Sequence, residues 1–217
     1  MTAAPQTMKI LFLGNSHTSV NNVPETVNKI LQLDLPGAKI TLEVNTGGSL
    51  ESIAQNQSIF KRIAVGGFSH IVLQGAALSS SHKYKYSQAG AVKLAKAAEK
   101  SGAQAILFAE WSRKGWKESD YILNIYKEIA LSSGAKIAPV CTVFDRLLAD
   151  SPKLDLWQAD GNHASSLGSY AAAMTLAQAI NPAGKLEWRP AGVSQDLVKR
   201  IRLAAAKTGR PIRPPNG

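Results

Sequence analysis

A serine beside a glycine follows an early apolar run: Ile10 to Leu13 leads into Gly14-Asn15-Ser16-His17-Thr18. A hydroxyl at the end of a strand can project into a crevice, but it is a poor nucleophile until a base takes its proton. Far downstream, Asp160-Gly161-Asn162-His163 sets an aspartate three residues before a histidine. Histidine is the side chain best poised to act as that base near neutral pH. Its other ring nitrogen needs a partner that fixes the tautomer and stabilises the imidazolium, and Asp160 is within reach. Acyl transfer through Ser16, His163 and Asp160 is the chemistry these residue types allow. Each also has a plainer reading. Ser16 can satisfy the backbone N–H groups of a following helix, Asp160 can cap one, and His163 can be an ordinary surface histidine.

Other residues offer less. No pair of histidines, and no Cys–His pair, has metal-ligand spacing, so no structural zinc site is expected, and acyl transfer through a serine requires no cofactor. Gly14-Asn15-Ser16 lacks the Gly-Lys-Ser/Thr ending of a phosphate loop. His17 reads as an exposed loop residue, His70 opens a strand, and His82 sits in a polar loop. Trp111 and Trp157 could wall a site, although tryptophan is more often core. Arg113, Lys114, Lys83 and Lys85 make an anionic substrate portion conceivable.

The elements that would carry these residues can be read from periodicity. Apolar or β-branched runs at Lys9–Leu13, Lys39–Val44, His70–Leu73, Ala105–Phe108 and Lys136–Val140 predict five strands. Helical spacing is predicted over Pro24–Leu33, Gln88–Lys100, Glu118–Ser132, Ser165–Ile180 and Gln195–Lys207. Strands alternating with helices imply an α/β fold, a three-layer α/β/α sandwich around a five-stranded parallel sheet. In such sheets ligands bind beyond the carboxyl ends of the strands. The loops holding Ser16, Gly47-Gly48, Gln74, Trp111 and Asp160–His163 then face one crevice.

At 217 residues, 45% hydrophobic and 18% charged, the chain can bury a sizeable core. We expect one domain, with residues 1–7 and 210–217 as flexible tails. Cys141 is the single cysteine, so no internal disulfide can form, and it reads as a small buried hydrophobe. No apolar run reaches the ~18–20 residues of a membrane span. No secretory signal is legible, which suggests a cytoplasmic protein, or a periplasmic or secreted one whose leader has been removed. The net charge of +10 is uneven: residues 185–217 contribute +6 (eight basic, two acidic) and the rest +4. Leu197, Val198, Ile201 and Ala205 alternate with the terminal basic residues, so this end reads as the solvated face of an amphipathic helix. A nucleic-acid partner is not expected, and oligomeric state is not legible.

Taken together, Ile10-Leu11-Phe12-Leu13-Gly14-Asn15-Ser16 and Asp160-Gly161-Asn162-His163-Ala164-Ser165 resemble the SGNH (GDSL-type) hydrolase family, with Gly47-Gly48-Ser49-Leu50 placed where that family has a glycine. The resemblance spans most of the chain. It implies a flavodoxin-like sheet and ester hydrolysis through a serine acyl-enzyme. Ser16 would be the nucleophile, His163 the general base and then acid, and Asp160 its orienting partner. The chain departs from the family twice. Asn15 stands where the GDS form has aspartate, and the third block, Leu73-Gln74-Gly75-Ala76-Ala77-Leu78, lacks the asparagine that donates to the oxyanion. Gln74 carries the same amide on a longer stem and is the expected donor, beside the N–H groups of Ser16 and Gly48, with Gly47 the alternative. Asn15, Trp111 and Trp157 are expected to touch substrate. The expected substrate is a small-molecule or glycan ester, an O-acetyl group on a carbohydrate first. The competing expectation is a hydrolase-like fold that binds a glycan without turning it over.

Overall fold

A computed structural model of the protein describes residues 6–208. Five strands, β1 (Thr7–Leu13), β2 (Lys39–Asn45), β3 (His70–Gln74), β4 (Gln104–Ala109) and β5 (Lys136–Pro139), form one sheet of order β2-β1-β3-β4-β5. All neighbours are parallel, with Phe12 opposite Val44 on one side and Val72 on the other. The interior strands are apolar on both faces because helices cover both. Ile10, Phe12, Val72, Ile106 and Phe108 face one core layer; Leu11, Leu13, Ile71, Leu73 and Leu107 face the other. This is the expected three-layer α/β/α arrangement with the flavodoxin-like strand order.

The first layer is closed by α2 (Val23–Asp34), α7 (Val140–Asp150), α8 (Ser166–Ile180) and α9 (Gln195–Thr208). The second is closed by α3 (Leu50–Ile53), α4 (Gln57–Val65), α5 (Ala89–Lys100) and α6 (Ser119–Ser133). Helix α8 is buried nearly all round, and its run of Ala, Gly and Ser lets it lie close to its neighbours. Its Gly168 is packed so tightly that a Cβ there would collide with the Leu156 carbonyl oxygen.

Most element boundaries differ from those expected by one or two residues, and two of the differences matter. Thr7, expected in the amino-terminal tail, belongs to β1, where it pairs with Lys39. Residues 1–5 and the expected tail 210–217 lie outside the described residues. Val140 does not end β5 but opens α7, whose Val140, Val143, Phe144 and Leu147 are buried at helical spacing. Cys141 is buried on this helix, and burial pushes its thiol up to about 12. No described helix is long and apolar enough to cross a membrane.

Strand order reverses between β1 and β3. In an open parallel sheet that reversal opens a crevice at the carboxyl ends. The loop after β1 holds Ser16, and the loop after β3 holds the third block.

Candidate active site

Ser16 opens a one-turn helix, α1 (Ser16–Ser19), capped by Asn15, whose Oδ1 accepts from the His17 N–H at 3.0 Å. The strand must turn sharply here, and Gly14 permits it. A Cβ at that position would stand 2.6 Å from Thr18 Oγ1 and 2.7 Å from Gln74 Oε1. Ser16 is thereby held at the surface with its Oγ 2.9 Å from His163 Nε2. On the other side of the ring, His163 Nδ1 lies 2.6 Å from Asp160 Oδ2.

Asp160 also shapes its own loop, its Oδ1 accepting from the N–H groups of Asn162 and His163, both at 2.9 Å. These bonds, the His163 one foremost, hold its carboxyl down at about 2. The loop is tied to the rest of the molecule. Trp111 Nε1 donates to the Asn162 carbonyl (2.8 Å), and the Lys114 N–H donates to the Gly161 carbonyl (2.8 Å). Asn21 Nδ2 bonds both the Ala164 carbonyl and Ser169 Oγ at 2.9 Å. Three side chains 147 positions apart at the extremes are thus brought into one hydrogen-bonded line. A serine hydroxyl, an imidazole and an ionised carboxylate in that order can make a nucleophile of the hydroxyl.

His17 is not the exposed loop residue expected from its place in the sequence. Its ring lies 5.4 Å from that of His163, nearly parallel, and 4.9 Å from the Trp111 ring, edge-on. Burial first, then the neighbouring His163, lower its pKa. A neutral His17 leaves His163 free to become the cation, since two adjacent imidazolium rings would repel. A histidine next to the serine was visible in the sequence; that it stacks on a histidine far along the chain was not.

The expected oxyanion donors are arranged otherwise. Gln74 is fully buried beneath the Ser16 turn, and its Oε1 accepts from the Asn15 N–H and the Thr18 hydroxyl, both at 3.0 Å. A backbone N–H can only donate, so the amide oxygen must face it and the flip is fixed. Its Nε2 is sealed in the interior, turned toward the Glu110 carboxyl rather than the cleft. Gln74 is therefore a brace for the Ser16 turn, and its amide does not reach the cleft as expected. The Gly48 N–H is turned to the Gly14 carbonyl (3.2 Å), and the Gly47 N–H to Asn45 Oδ1 (3.2 Å). Of the expected backbone donors, only the Ser16 N–H has no acceptor among the described residues.

Trp157 is core. It is 8% exposed, packs edge-on against Phe144 and donates from Nε1 to the Ser112 carbonyl, so it does not wall the site. Trp111 is also buried, but its edge lines a cavity of about 150 Å³ beside His17, together with Ser79, Glu110, Arg113 and Asn162. Of the rim cations, Arg113 is matched by Glu118, at 2.6 Å, and Lys85 by Glu128, at 2.9 Å. Neither leaves an open positive charge for an anionic substrate.

At the cavity floor stands a group the sequence did not single out. Glu110 is buried against the Tyr126 hydroxyl, which donates to its Oε2 and accepts from the N–H groups of Gly75 (3.1 Å) and Ala76 (3.2 Å). Burial pushes the Glu110 carboxyl up to about 7.

No family model matches the sequence, and no curated protein does. Solved structures do. The chain is similar to a candidate SGNH hydrolase from Slackia heliotrinireducens, with a TM-score of 0.62 and 25% identity over 80% of this chain and 98% of that one. It is similar to a DUF4886 family protein from Bacteroides uniformis, with a TM-score of 0.60 and 20% identity over 93% of this chain and 94% of that one. A family 3 carbohydrate esterase from Clostridium thermocellum gives a TM-score of 0.58 and 15% identity over 79% of this chain and 94% of that one. The resemblance in the first and last blocks and the likeness in three dimensions agree: this chain has the fold of the SGNH hydrolases.

Proposed function

We propose that the protein is a serine esterase that removes a short O-acyl group, acetyl first, from a carbohydrate or similarly polar alcohol. The observation that carries this reading is the line Ser16 Oγ, His163 Nε2, Asp160, with separations of 2.9 and 2.6 Å. Ser16 Oγ attacks the ester carbonyl while its proton passes to His163 Nε2. The tetrahedral oxyanion, held by the Ser16 N–H, collapses as the C–O bond to the alcohol breaks, and His163 returns the proton to the departing oxygen. A water molecule then gives its proton to His163 and attacks the acyl-Ser16 carbonyl. Collapse of this second intermediate frees the acid and restores the serine. Asp160 stays ionised and holds the imidazolium.

A polar substrate is supported by the cavity beside His17. It is small, too small for a long acyl chain, and Ser79, Ser80, Glu110 and Asn162 offer polar partners to an alcohol rich in hydroxyls beside the apolar Leu78, Trp111 and Ile122. The likeness to a carbohydrate esterase points the same way.

The test is intact mass after exposure to a fluorophosphonate probe, followed by acetate release from acetylated sugars. One adduct on the parent protein, absent from Ser16→Ala, with acetate release lost in that variant, is the expected result. A folded parent protein that takes no adduct and releases no acetate would instead favour a glycan-binding protein without turnover.

A further inference from the structure

With Gln74 buried as a brace and Gly48 bonded to Gly14, neither supplies a donor to the oxyanion. We infer that Asn15 does: its Nδ2 takes the place of the third-block amide. This rests on the esterase reading above and deepens it.

The orientation of the Asn15 amide is fixed by its own oxygen. Oδ1 accepts from the His17 N–H at 3.0 Å and lies 3.2 Å from His17 Nδ1. Because the backbone N–H can only donate, Oδ1 is the atom turned to His17, and Nδ2 points the opposite way. There it meets the third-block loop at Gly75. A Cβ on Gly75 would stand 3.1 Å from Nδ2 and 3.6 Å from the Gly48 carbonyl oxygen, and Gly75 has a φ of +95°, which a side chain would strain. Gly75 thus leaves room for the Asn15 amide between the first, second and third blocks. Among the described residues nothing accepts from Nδ2. The side chain is half-buried, and Nδ2 is not among the polar atoms sealed in the interior.

Asn15 is also the N-cap of α1, so its side chain lies over the same helix terminus as the Ser16 N–H. Two donors, one backbone and one side chain, are then offered beside the nucleophile. Preorganised donors of this kind stabilise the charge that develops on the ester oxygen. An aspartate at this position, as in the GDS form, offers no such hydrogen when ionised. The asparagine at position 15 and the absence of one in the third block are therefore two sides of one exchange.

Two variants separate this role from capping. Asn15→Ser and Asn15→Asp both keep an oxygen able to cap α1, and neither carries the amide hydrogens. The serine hydroxyl is too short to reach Gly75. The two differ in charge, so a shared loss is not repulsion of the oxyanion. With p-nitrophenyl acetate, both are expected to lose about 10²-fold in kcat with KM within a few-fold of the parent. The rate of fluorophosphonate labelling should fall in parallel, with thermal midpoints unchanged. A folded Asn15→Ser variant that keeps kcat within about threefold of the parent would overturn the assignment, whatever the aspartate variant does. Should Asn15→Asp fail to fold, Asn15→Ser alone decides. A parent protein inert to both reagents would instead remove the esterase reading on which the inference rests.

Discussion

Asp160 uses its two oxygens for different tasks, and this makes its role separable by a single atom. Oδ1 shapes the loop by accepting two backbone N–H groups, while Oδ2 faces His163 Nδ1. An asparagine side chain in its place could keep the first task with its amide oxygen and fail the second. In an Asp160→Asn variant the amide NH2 would donate to Nδ1, forcing the ring proton onto Nε2, where it faces Ser16 and cannot serve as a base. We expect kcat to fall by about 10³–10⁴-fold with KM and thermal midpoint little changed, read by steady-state hydrolysis of p-nitrophenyl acetate. Because the carboxyl is held down at about 2, Asp160 stays ionised above about pH 4, and the acid limb of the parent's pH profile should not report it. The Asp-x-x-His spacing was legible because both ends of the interaction sit in one turn. The direction of Gln74 was legible too, though harder to use. Alternation along β3 puts it on the same face as Val72, under the turn that follows β1, where an amide meets backbone donors. Residue type alone could not tell a brace from an oxyanion donor.

At the scale of elements, the loop after β3 is joined to α6 by a buried polar contact. Tyr126 on α6 holds two N–H groups of the third-block loop and passes its own proton toward Glu110 beyond β4. This contact fixes the loop against which Asn15 lies, and it carries a pH signature. Glu110 titrates near 4.5 when solvated and near 7 when buried here. Below about pH 4.5 both folded and unfolded states hold the proton, and the contact is at full strength. Between about pH 4.5 and 7 the unfolded chain releases the proton while the folded one retains it. Stability then falls as pH rises, by up to about 3 kcal/mol, and levels off above the folded value. Glu110→Gln keeps an oxygen for the Tyr126 hydroxyl and removes the titration. Urea unfolding at about pH 5 and about pH 8 should show a smaller difference between the two conditions in the variant than in the parent, and an unchanged difference would remove Glu110 as its source. None of this network was legible from sequence, since Glu110 and Tyr126 stand sixteen positions apart with no motif between them. The helix after β5 went unread for a different reason. The β-branched start of α7, Val140-Cys141-Thr142-Val143, continues the strand pattern, and only its i, i+3, i+4, i+7 burial reveals the helix.

Over the whole molecule, charge and chemistry occupy different places. Of the eight basic residues at the carboxyl-terminal end, Arg210 and Arg213 lie outside the described residues, and half, Lys199, Arg200, Arg202 and Lys207, are carried on α9, which is packed on the body of the molecule. Its Val198, Ile201, Ala204 and Ala205 are buried against α7 and α8, while Arg200 bonds Ser151 Oγ at 2.9 Å and Arg202 the Lys185 carbonyl at 3.2 Å. The amphipathic pattern read from the sequence therefore describes a closing helix whose cations partly anchor it. No hydrogen bond of the Ser16, His163 and Asp160 line involves α9. Stability and catalysis should then respond separately to damage at this end. Ile201 is fully buried, and Ile201→Ala removes methyl and methylene groups from a packed layer and leaves a cavity where they stood. The expected cost is about 2–4 kcal/mol, read as a lower urea midpoint with an unchanged slope if α9 unfolds together with the rest of the molecule. A lower slope would mean that α9 had already detached in the native state, and the closing role would fall. Per folded molecule, kcat on p-nitrophenyl acetate should stay at the parent value, because the groups that line up the nucleophile are set by the switch between β1 and β3 and by the loop before α8.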